Sequence, residues 1–210
     1  MSPAVPDLHE VLESARAAGF LGPGPVEGHI VHAEGFAVAA ESALGHPPRN
    51  FADLGTGGGV PGLVLADRWP AAQGVFVETG QRRCAWLREA VAHLDMAGRA
   101  EVVEDRAEAV GRAPEWRERF EVVTARSFAG PAVTGEIAAG LVEPGGVLVV
   151  SEPPARDPLR WPAEQLAELG FAPAEFKEVS GAHFVVIRKI ESAPARTPRA
   201  VGKPTKRPLW

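Results

Sequence analysis

Residues 50–62 read Asn50-Phe-Ala-Asp-Leu-Gly-Thr-Gly-Gly-Gly-Val-Pro-Gly62, and this stretch decides the fold. A short apolar run ends near Asp53, and glycines follow at alternate positions, Gly55, Gly57 and Gly59. Glycine loses more conformational entropy on folding than other residues, so glycines clustered in this way need a structural reason. A tight turn from a strand into a helix, where a ligand approaches bare backbone, supplies that reason. The stretch therefore predicts a nucleotide-like ligand at the end of a strand.

Strand-like and helix-like segments alternate after this turn. The strand-like runs are 50–54, 75–78, 100–103, 120–124 and 147–151. A helical pattern covers 81–97, and a predicted turn at 144–146 precedes the fifth strand. Two more strands, 174–179 and 183–189, are joined by a connection of hairpin length. Repeated strand–helix units predict an α/β fold with a parallel sheet covered on both faces, seven strands in all, and a terminal hairpin. That terminal hairpin favours a class I methyltransferase sheet over a plain dinucleotide-binding fold.

Two helical patterns precede the glycine turn, and a segment rich in proline and basic residues ends the chain. The predicted organisation is a helical cap over 1–48, an α/β domain over 49–190 and a tail over 191–210. The cap contains the helical patterns 7–20 and 26–44. The tail is expected to be extended and to contain no helix.

Charge and composition limit the kinds of partner and the cellular compartment that we expect. The 210-residue chain has a net charge of −5, but its last 23 residues carry seven Lys or Arg and one acid, which leaves −11 for the rest. A basic end on an acidic body fits either a nucleic-acid partner or a solubilising tail. The single cysteine, Cys84, excludes an internal disulfide. We expect a cytoplasmic protein with no membrane contact and no obligate protein partner, because we find no secretory signal and no apolar run long enough to span a membrane.

Two acidic residues indicate which cofactor the turn holds. Glu78, at the end of the second strand, suits the ribose hydroxyls of a dinucleotide or of S-adenosylmethionine. Asp53 distinguishes between these two cofactors, because a carboxylate two residues before the first glycine repels the pyrophosphate of a dinucleotide and suits the ammonium group of S-adenosylmethionine. S-adenosylmethionine is therefore the predicted cofactor, and a glycine-rich loop without a ligand is the alternative.

The third and fourth strands end in further candidate residues. The corner after the third strand, at 105–108, is expected beside the adenine ring, unless Arg106 and Glu108 form only a solvated pair. The fourth strand ends at Arg126, Ser127 and Phe128, where an open α/β sheet places its chemistry. These three residues are positioning candidates, and no catalytic residue is assigned. The predicted cofactor-binding residues are Asp53, Gly55, Thr56, Gly57, Gly59, Val60, Pro61, Glu78, Thr79, Arg106, Ala107, Glu108 and Arg126. No metal site is expected, since His29 and His32 offer only two ligands.

Four motifs resemble one family. They are Asp53–Gly62, Glu78 with Gln81–Leu87, Arg106-Ala107-Glu108 and Ala125–Ala129, in that order along the chain. This set is similar to the RsmG family, also called glucose-inhibited division protein B, and the basic end over 197–209 resembles that family's C-terminal end. The resemblance implies a class I fold, S-adenosylmethionine as cofactor, and methylation of N7 of a guanine in 16S ribosomal RNA, naked or in the 30S particle.

The chain departs from the family pattern at three places where basic residues are usual. Gly28-His29, the run 151–154 with Glu152, and Ala182-His183 stand there instead. A small-molecule methyltransferase with another acceptor therefore stays open, as does a binding module that keeps the fold as a scaffold. Arg199 and Lys203 in the tail are expected to contact RNA. Phe128 or Trp161 could stack on the acceptor base, although core packing is the commoner role of such side chains.

Overall fold

The computed structural model describes residues 7–155 and 157–210, so the first six residues of the predicted cap lie outside the described part. These residues form a seven-stranded sheet in the order β3-β2-β1-β4-β5-β7-β6. The strands are β1 (Asn50–Leu54), β2 (Gln73–Glu78), β3 (Ala100–Glu104), β4 (Phe120–Ala125), β5 (Val142–Glu152), β6 (Glu175–Val179) and β7 (Ala182–Arg188). Strands β1 to β5 pair in parallel, whereas β7 pairs antiparallel with both β5 and β6. The predicted α/β fold with a terminal hairpin is confirmed.

Helices cover both faces of this sheet. They are α1 (Leu8–Ala17), α2 (Val26–Leu44), α3 (Gly62–Arg68), α4 (Gln81–His93), α5 (Ala107–Val110), α6 (Pro131–Ala139), α7 (Ala163–Glu168) and α8 (Lys203–Lys206). Side chains alternate across each strand, so Val147 and Val149 join the core under α1 to α4 and Leu148 joins the core under α6 and α7. On the first face, Phe36 of α2 meets Phe184 of β7 with ring centroids 4.9 Å apart.

The chain reverses its direction across the sheet between β1 and β4. It runs outward from β1 through β2 to β3 and then returns to place β4 on the other side of β1. Leu54 and Ala125 are neighbours in this pairing, so the carboxyl ends of β1 and β4 lie side by side. A topological switch of this kind opens a crevice beyond the carboxyl ends of the strands, where open α/β sheets bind ligands.

Two local predictions are wrong. The run 144–146 is not a turn before the fifth strand but an irregularity within β5, where the pairing with β4 shifts register between Phe120 and Val122. Gly145 permits it with a φ of 94°. The tail is not free of helix, since α8 forms at Lys203–Lys206. Its basic residues are also not all free in solvent, because Arg199 forms an ion pair with the buried Glu136 of α6.

Among the residues described, no helix is both long and apolar enough to cross a membrane.

Candidate functional site

The glycine-rich turn connects β1 to α3 at the switch point. The amide of Gly55 donates to the carbonyl oxygen of Val77 over 2.8 Å, which ties the turn to the end of β2. Gly55 and Gly57 have φ values of 68° and 59°, a region that L side chains rarely adopt. A Cβ atom on Gly55 would lie 2.8 Å from the Phe128 ring, so this position also needs glycine for space. The turn therefore brings bare backbone to the mouth of the crevice.

A cavity of about 740 Å³ lies beside this turn. Its volume falls within the range of small-molecule sites, roughly 300–1,000 Å³. The predicted site residues that line it are Gly55, Gly57, Glu78, Thr79, Arg106, Ala107, Glu108, Ser127 and Phe128. Four strand ends thus converge on one cavity, as the sequence predicts.

Glu78 accepts more hydrogen bonds than any other of these residues. Its carboxylate accepts hydrogen bonds from the amides of Gly57, Thr79 and Gly80, at 3.0, 2.8 and 2.8 Å. Arg83 of α4 donates to the same carboxylate over 2.8 Å. Burial acts to raise the pKa of Glu78, but the hydrogen bonds from Arg83, Gly80 and Gly57 outweigh it, so the pKa is lowered. Glu78 is therefore an ionised acceptor that locks the glycine turn onto β2 at the cavity wall.

Asp53 lies behind the turn and does not line the cavity. It is fully buried, and its carboxylate accepts from the Gly62 amide over 3.1 Å and from the Thr124 hydroxyl over 2.8 Å. Burial raises the pKa of Asp53 to about 7, although Thr124, Thr56 and Gly62 act in the opposite direction. Asp53 thus joins the two ends of the glycine turn to β4. Its contact with a cofactor ammonium stays a prediction.

The other predicted residues of the turn also belong to its frame rather than to the cavity wall. Thr56 is buried and donates its hydroxyl proton to the carbonyl oxygen of Asp53 over 3.0 Å. Gly59, Val60 and Pro61 are buried where the turn enters α3.

At the corner after β3, the Glu108 carboxylate is already occupied. Glu108 is buried, and Oε1 accepts from the Arg106 guanidinium over 2.8 Å and from the amide of Gly202 over 3.1 Å. Burial acts to raise the pKa of Glu108, but the hydrogen bonds from Arg106 and Gly202 help to lower it overall. The Arg106–Glu108 pair therefore forms, with the Arg106 side chain 50% exposed and the Glu108 side chain 2% exposed, and contact of this corner with the adenine ring stays a prediction. The tail residue Gly202 takes part in this corner, although no local sequence pattern predicts that contact.

The end of β4 divides its predicted residues between two places. Ser127 and Phe128 line the cavity, and Ser127 has a φ of 52°, unusual for a residue other than glycine. Arg126 turns away from the cavity toward α2 and donates to Nδ1 of His29 over 2.8 Å. Burial lowers the pKa of Arg126, partly offset by the carboxylate of Asp53. Arg126 therefore supports the site from behind.

A second cavity, of about 270 Å³, adjoins the first across Ser127, Phe128 and Ala129. Glu152 and Trp161 form part of its far wall. The Trp161 ring is buried, and its Nε1–H donates to Glu152 over 3.1 Å. Arg160 pairs with the same carboxylate over 2.7 Å. The negative charge of Glu152, which lies where the family usually has a basic residue, is therefore neutralised by Arg160.

Three polar residues that line the larger cavity were not predicted as site residues. They are Arg83, Asp105 and Thr205. Arg83 lies in the motif that follows Glu78, five residues further on, so the spacing into a helix could have indicated it. Asp105 directly precedes the predicted corner at Arg106. No local signal marks Thr205, which reaches the cavity only because the tail folds back. In the described residues no cluster of three or more His, Cys, Asp or Glu could hold a metal ion.

Comparison with known proteins shows which sequences this chain is similar to. The family model described as GidB, rRNA small subunit methyltransferase G, matches residues 36–156. A ribosomal RNA small subunit methyltransferase G of Roseiflexus castenholzii is 37% identical over 171 residues, covering 79% of this chain and 73% of the relative. One from a Thermotoga species is 36% identical over 163 residues, covering 75% and 70%.

Solved structures agree on the fold. An O-methyltransferase from Bacillus cereus in complex with S-adenosylhomocysteine has a TM-score of 0.60 at 19% identity and covers 88% of this chain and 92% of its own. Human N-acetylserotonin methyltransferase in complex with S-adenosylmethionine has a TM-score of 0.60 at 14% identity and covers 87% and 56%. The cavity at the switch point lies on the same kind of sheet.

Proposed function

Because the chain belongs to the rRNA small subunit methyltransferase G (GidB) family, and is therefore an S-adenosylmethionine-dependent methyltransferase, we propose that it methylates N7 of a guanine in 16S ribosomal RNA. The observation that carries this proposal is the pair of adjoining cavities that share Ser127, Phe128 and Ala129 as a common wall. One cavity has the size and acidic anchor of a cofactor site, and the other opens beside it at the ends of β4 and β5.

The larger cavity is the proposed S-adenosylmethionine site. Glu78 is ionised at its wall, and among the described residues only the Gly57 amide donates to Oε2, so this oxygen retains a lone pair for a ribose hydroxyl. A Cβ on Gly57 would meet no atom closer than 3.6 Å, so the backbone there is open to a ligand. The residues therefore fit a nucleoside with vicinal hydroxyls.

The smaller cavity is the proposed acceptor site. S-adenosylmethionine supplies an activated methyl group, so the chain has to position the acceptor more than to activate it. Guanine N7 carries an in-plane lone pair and no proton, and a general base is not required. Phe128 lies between the two cavities and is only half-buried, so it offers a ring face on which an unstacked base can rest. Trp161, the other candidate for stacking on the base, is buried and donates its Nε1–H to Glu152.

Exposed cations flank the proposed cofactor site. Lys203, Lys206 and Arg207 are exposed in the segment that also contains the cavity residue Thr205. Phosphate contacts supply much of the affinity of proteins for RNA, and these cations are placed to provide them. Arg199, which was expected to share this role, is instead paired with Glu136 and contributes to the fold. A small-molecule acceptor has no such support, and the relatives' names favour RNA.

The test is transfer of a labelled methyl group from S-adenosylmethionine to 16S RNA, offered as naked RNA and as 30S particles. We expect label in one guanine, recovered as N7-methylguanine after hydrolysis. Absence of label from both forms, with S-adenosylhomocysteine still bound, would contradict the RNA acceptor. The double variant Lys203→Gln/Lys206→Gln should weaken RNA binding and lower the salt slope by roughly 0.7–0.9 per lost phosphate contact. Lys177→Gln, on the edge strand β6, is the matched control and should change neither.

A further inference from the structure

The last segment of the chain, residues 191–210, is docked along the body, and we refer to it as the C-terminal strap. Arg117 donates to the carbonyl oxygens of Ala193 and Pro194, at 3.2 Å each, and also to that of Thr197. Arg199 then makes a two-pronged contact with Glu136 of α6, at 2.8 and 2.6 Å. Glu136 is 1% exposed, so a buried carboxylate depends on this segment for its counter-charge.

Beyond Arg199 the strap reaches the larger cavity. The Gly202 amide donates to Oε1 of Glu108 over 3.1 Å, at the corner expected beside the adenine ring. Three residues later the exposed residue Thr205 lines the cavity itself. The final residue, Trp210, donates from Nε1 to the carbonyl oxygen of Arg160, which holds Glu152 at the second cavity. The strap therefore contacts the framework of both cavities.

We infer that the C-terminal strap forms one wall of the S-adenosylmethionine site, with Thr205 bounding the adenine end of the cavity and Gly202 holding Glu108 in place. This inference rests on the proposed position of the cofactor in the larger cavity. It assigns residues far along the chain from the glycine turn to cofactor binding. Thr205 is a wall residue and Gly202 a positioning residue, because Gly202 acts through Glu108.

Reciprocal stabilisation follows from this arrangement. A ligand that contacts only the docked strap favours the docked state, and docking in turn raises affinity for that ligand by the same factor. Because the strap also carries the exposed cations Lys203 and Lys206, it links RNA contact to cofactor retention. The contribution of the docked strap to cofactor affinity can be measured with S-adenosylhomocysteine alone, without methyl transfer.

The test is calorimetric titration of the full chain with S-adenosylhomocysteine. Thr205→Trp introduces a bulky side chain at the cavity wall and should weaken binding at least tenfold. Val201→Trp is the matched control, since Val201 is 52% exposed in the same strap and does not line the cavity. It should bind as the unchanged protein does. Glu78→Gln tests the position of the cofactor independently of the strap.

The outcomes separate the two proposals. Weak binding by Thr205→Trp beside normal binding by Val201→Trp supports the strap as a wall. Normal binding by Thr205→Trp, with binding lost in Glu78→Gln, overturns the strap inference alone. Normal binding by both Thr205→Trp and Glu78→Gln overturns the position of the cofactor as well. As a second measurement, S-adenosylhomocysteine should slow tryptic cleavage between Lys206 and Arg207, and an unchanged rate would contradict the inference.

Discussion

The Arg126 guanidinium donates to Nδ1 of His29 over 2.8 Å, and this contact joins helix α2 to the carboxyl end of β4. A guanidinium has no acceptor, so Nδ1 of His29 must be unprotonated. The other ring nitrogen, Nε2, then donates to the carbonyl oxygen of Gly22 over 3.2 Å. One neutral imidazole thus connects the segment before α2 to the strand end beside both cavities.

Replacing His29 should destabilise the fold. In His29→Leu the half-buried guanidinium of Arg126 loses its acceptor, and we expect a loss of about 1–3 kcal/mol in the free energy of unfolding. Urea denaturation followed by circular dichroism measures it. Affinity for S-adenosylhomocysteine should change little, because Arg126 does not line the larger cavity. A strong loss of affinity at unchanged stability would instead place Arg126 in direct contact with the cofactor.

His32 lies one turn further along α2 and makes the stability of the fold depend on pH. Its Nδ1 is buried and has no hydrogen-bond partner among residues 7–155 and 157–210, and the ring packs against Phe36 and Phe184. Burial, with a smaller contribution from the charge of Arg126, lowers the pKa of His32 from 6.5 to about 4. Between these values the unfolded chain binds a proton that the folded chain does not, so stability falls as the pH falls.

His32→Leu should remove this loss. Denaturation curves at pH 7 and at pH 4.5 should show a smaller loss of stability for His32→Leu than for the unchanged protein. At pH 7 the variant should be at least as stable, because an unpaired buried polar atom has been replaced by an apolar group. An identical pH dependence in the two proteins would show that His32 is protonated in the folded state.

Arg199 should act on stability more than on RNA. Arg199→Met leaves the carboxylate of Glu136 buried without a counter-charge, and loss of one partner of a buried pair costs about 3–5 kcal/mol. Arg196→Met, an exposed residue of the strap, is the control and should be nearly neutral. The double variant Arg199→Met/Glu136→Leu should recover most of the loss, since both charges are then absent. Thermal denaturation of the four proteins measures these differences.

The sequence predicts the sheet and most of the cavity because local patterns determine them. The glycine turn after Asp53 and the strand ends at Glu78 and Ser127 meet at one edge through parallel pairing, which the alternation of elements already implies. The docking of the strap could not be predicted, because a pair 63 residues apart, Arg199 with Glu136, has no local signature. Composition marks that segment as basic but does not tell which cation pairs with a buried carboxylate. Likewise, Pro-Gly-Gly at 144–146 suits a turn and a bulge equally well.

Asp53 allows a last prediction, in which stability and cofactor binding report on the same carboxyl group. Because burial raises its pKa from 3.8 to about 7, the folded chain keeps a proton between these values that the unfolded chain has lost. Stability contributed by Asp53 is therefore present at low pH and is lost as the pH rises through 7, with a slope of at most about 1.4 kcal/mol per pH unit. Asp53→Asn should lack this slope when unfolding is measured from pH 5 to pH 8.

Cofactor binding should then move the proton. An ammonium group near Asp53 favours its ionised form, so S-adenosylhomocysteine binding at pH 6 should release protons. Titration in two buffers of different ionisation enthalpy measures this release, and Asp53→Asn should show none. Equal proton release by both proteins would assign the effect to another group. No release by either would leave Asp53 as a residue that only holds the glycine turn to β4, since its carboxylate already accepts from Gly62 and Thr124.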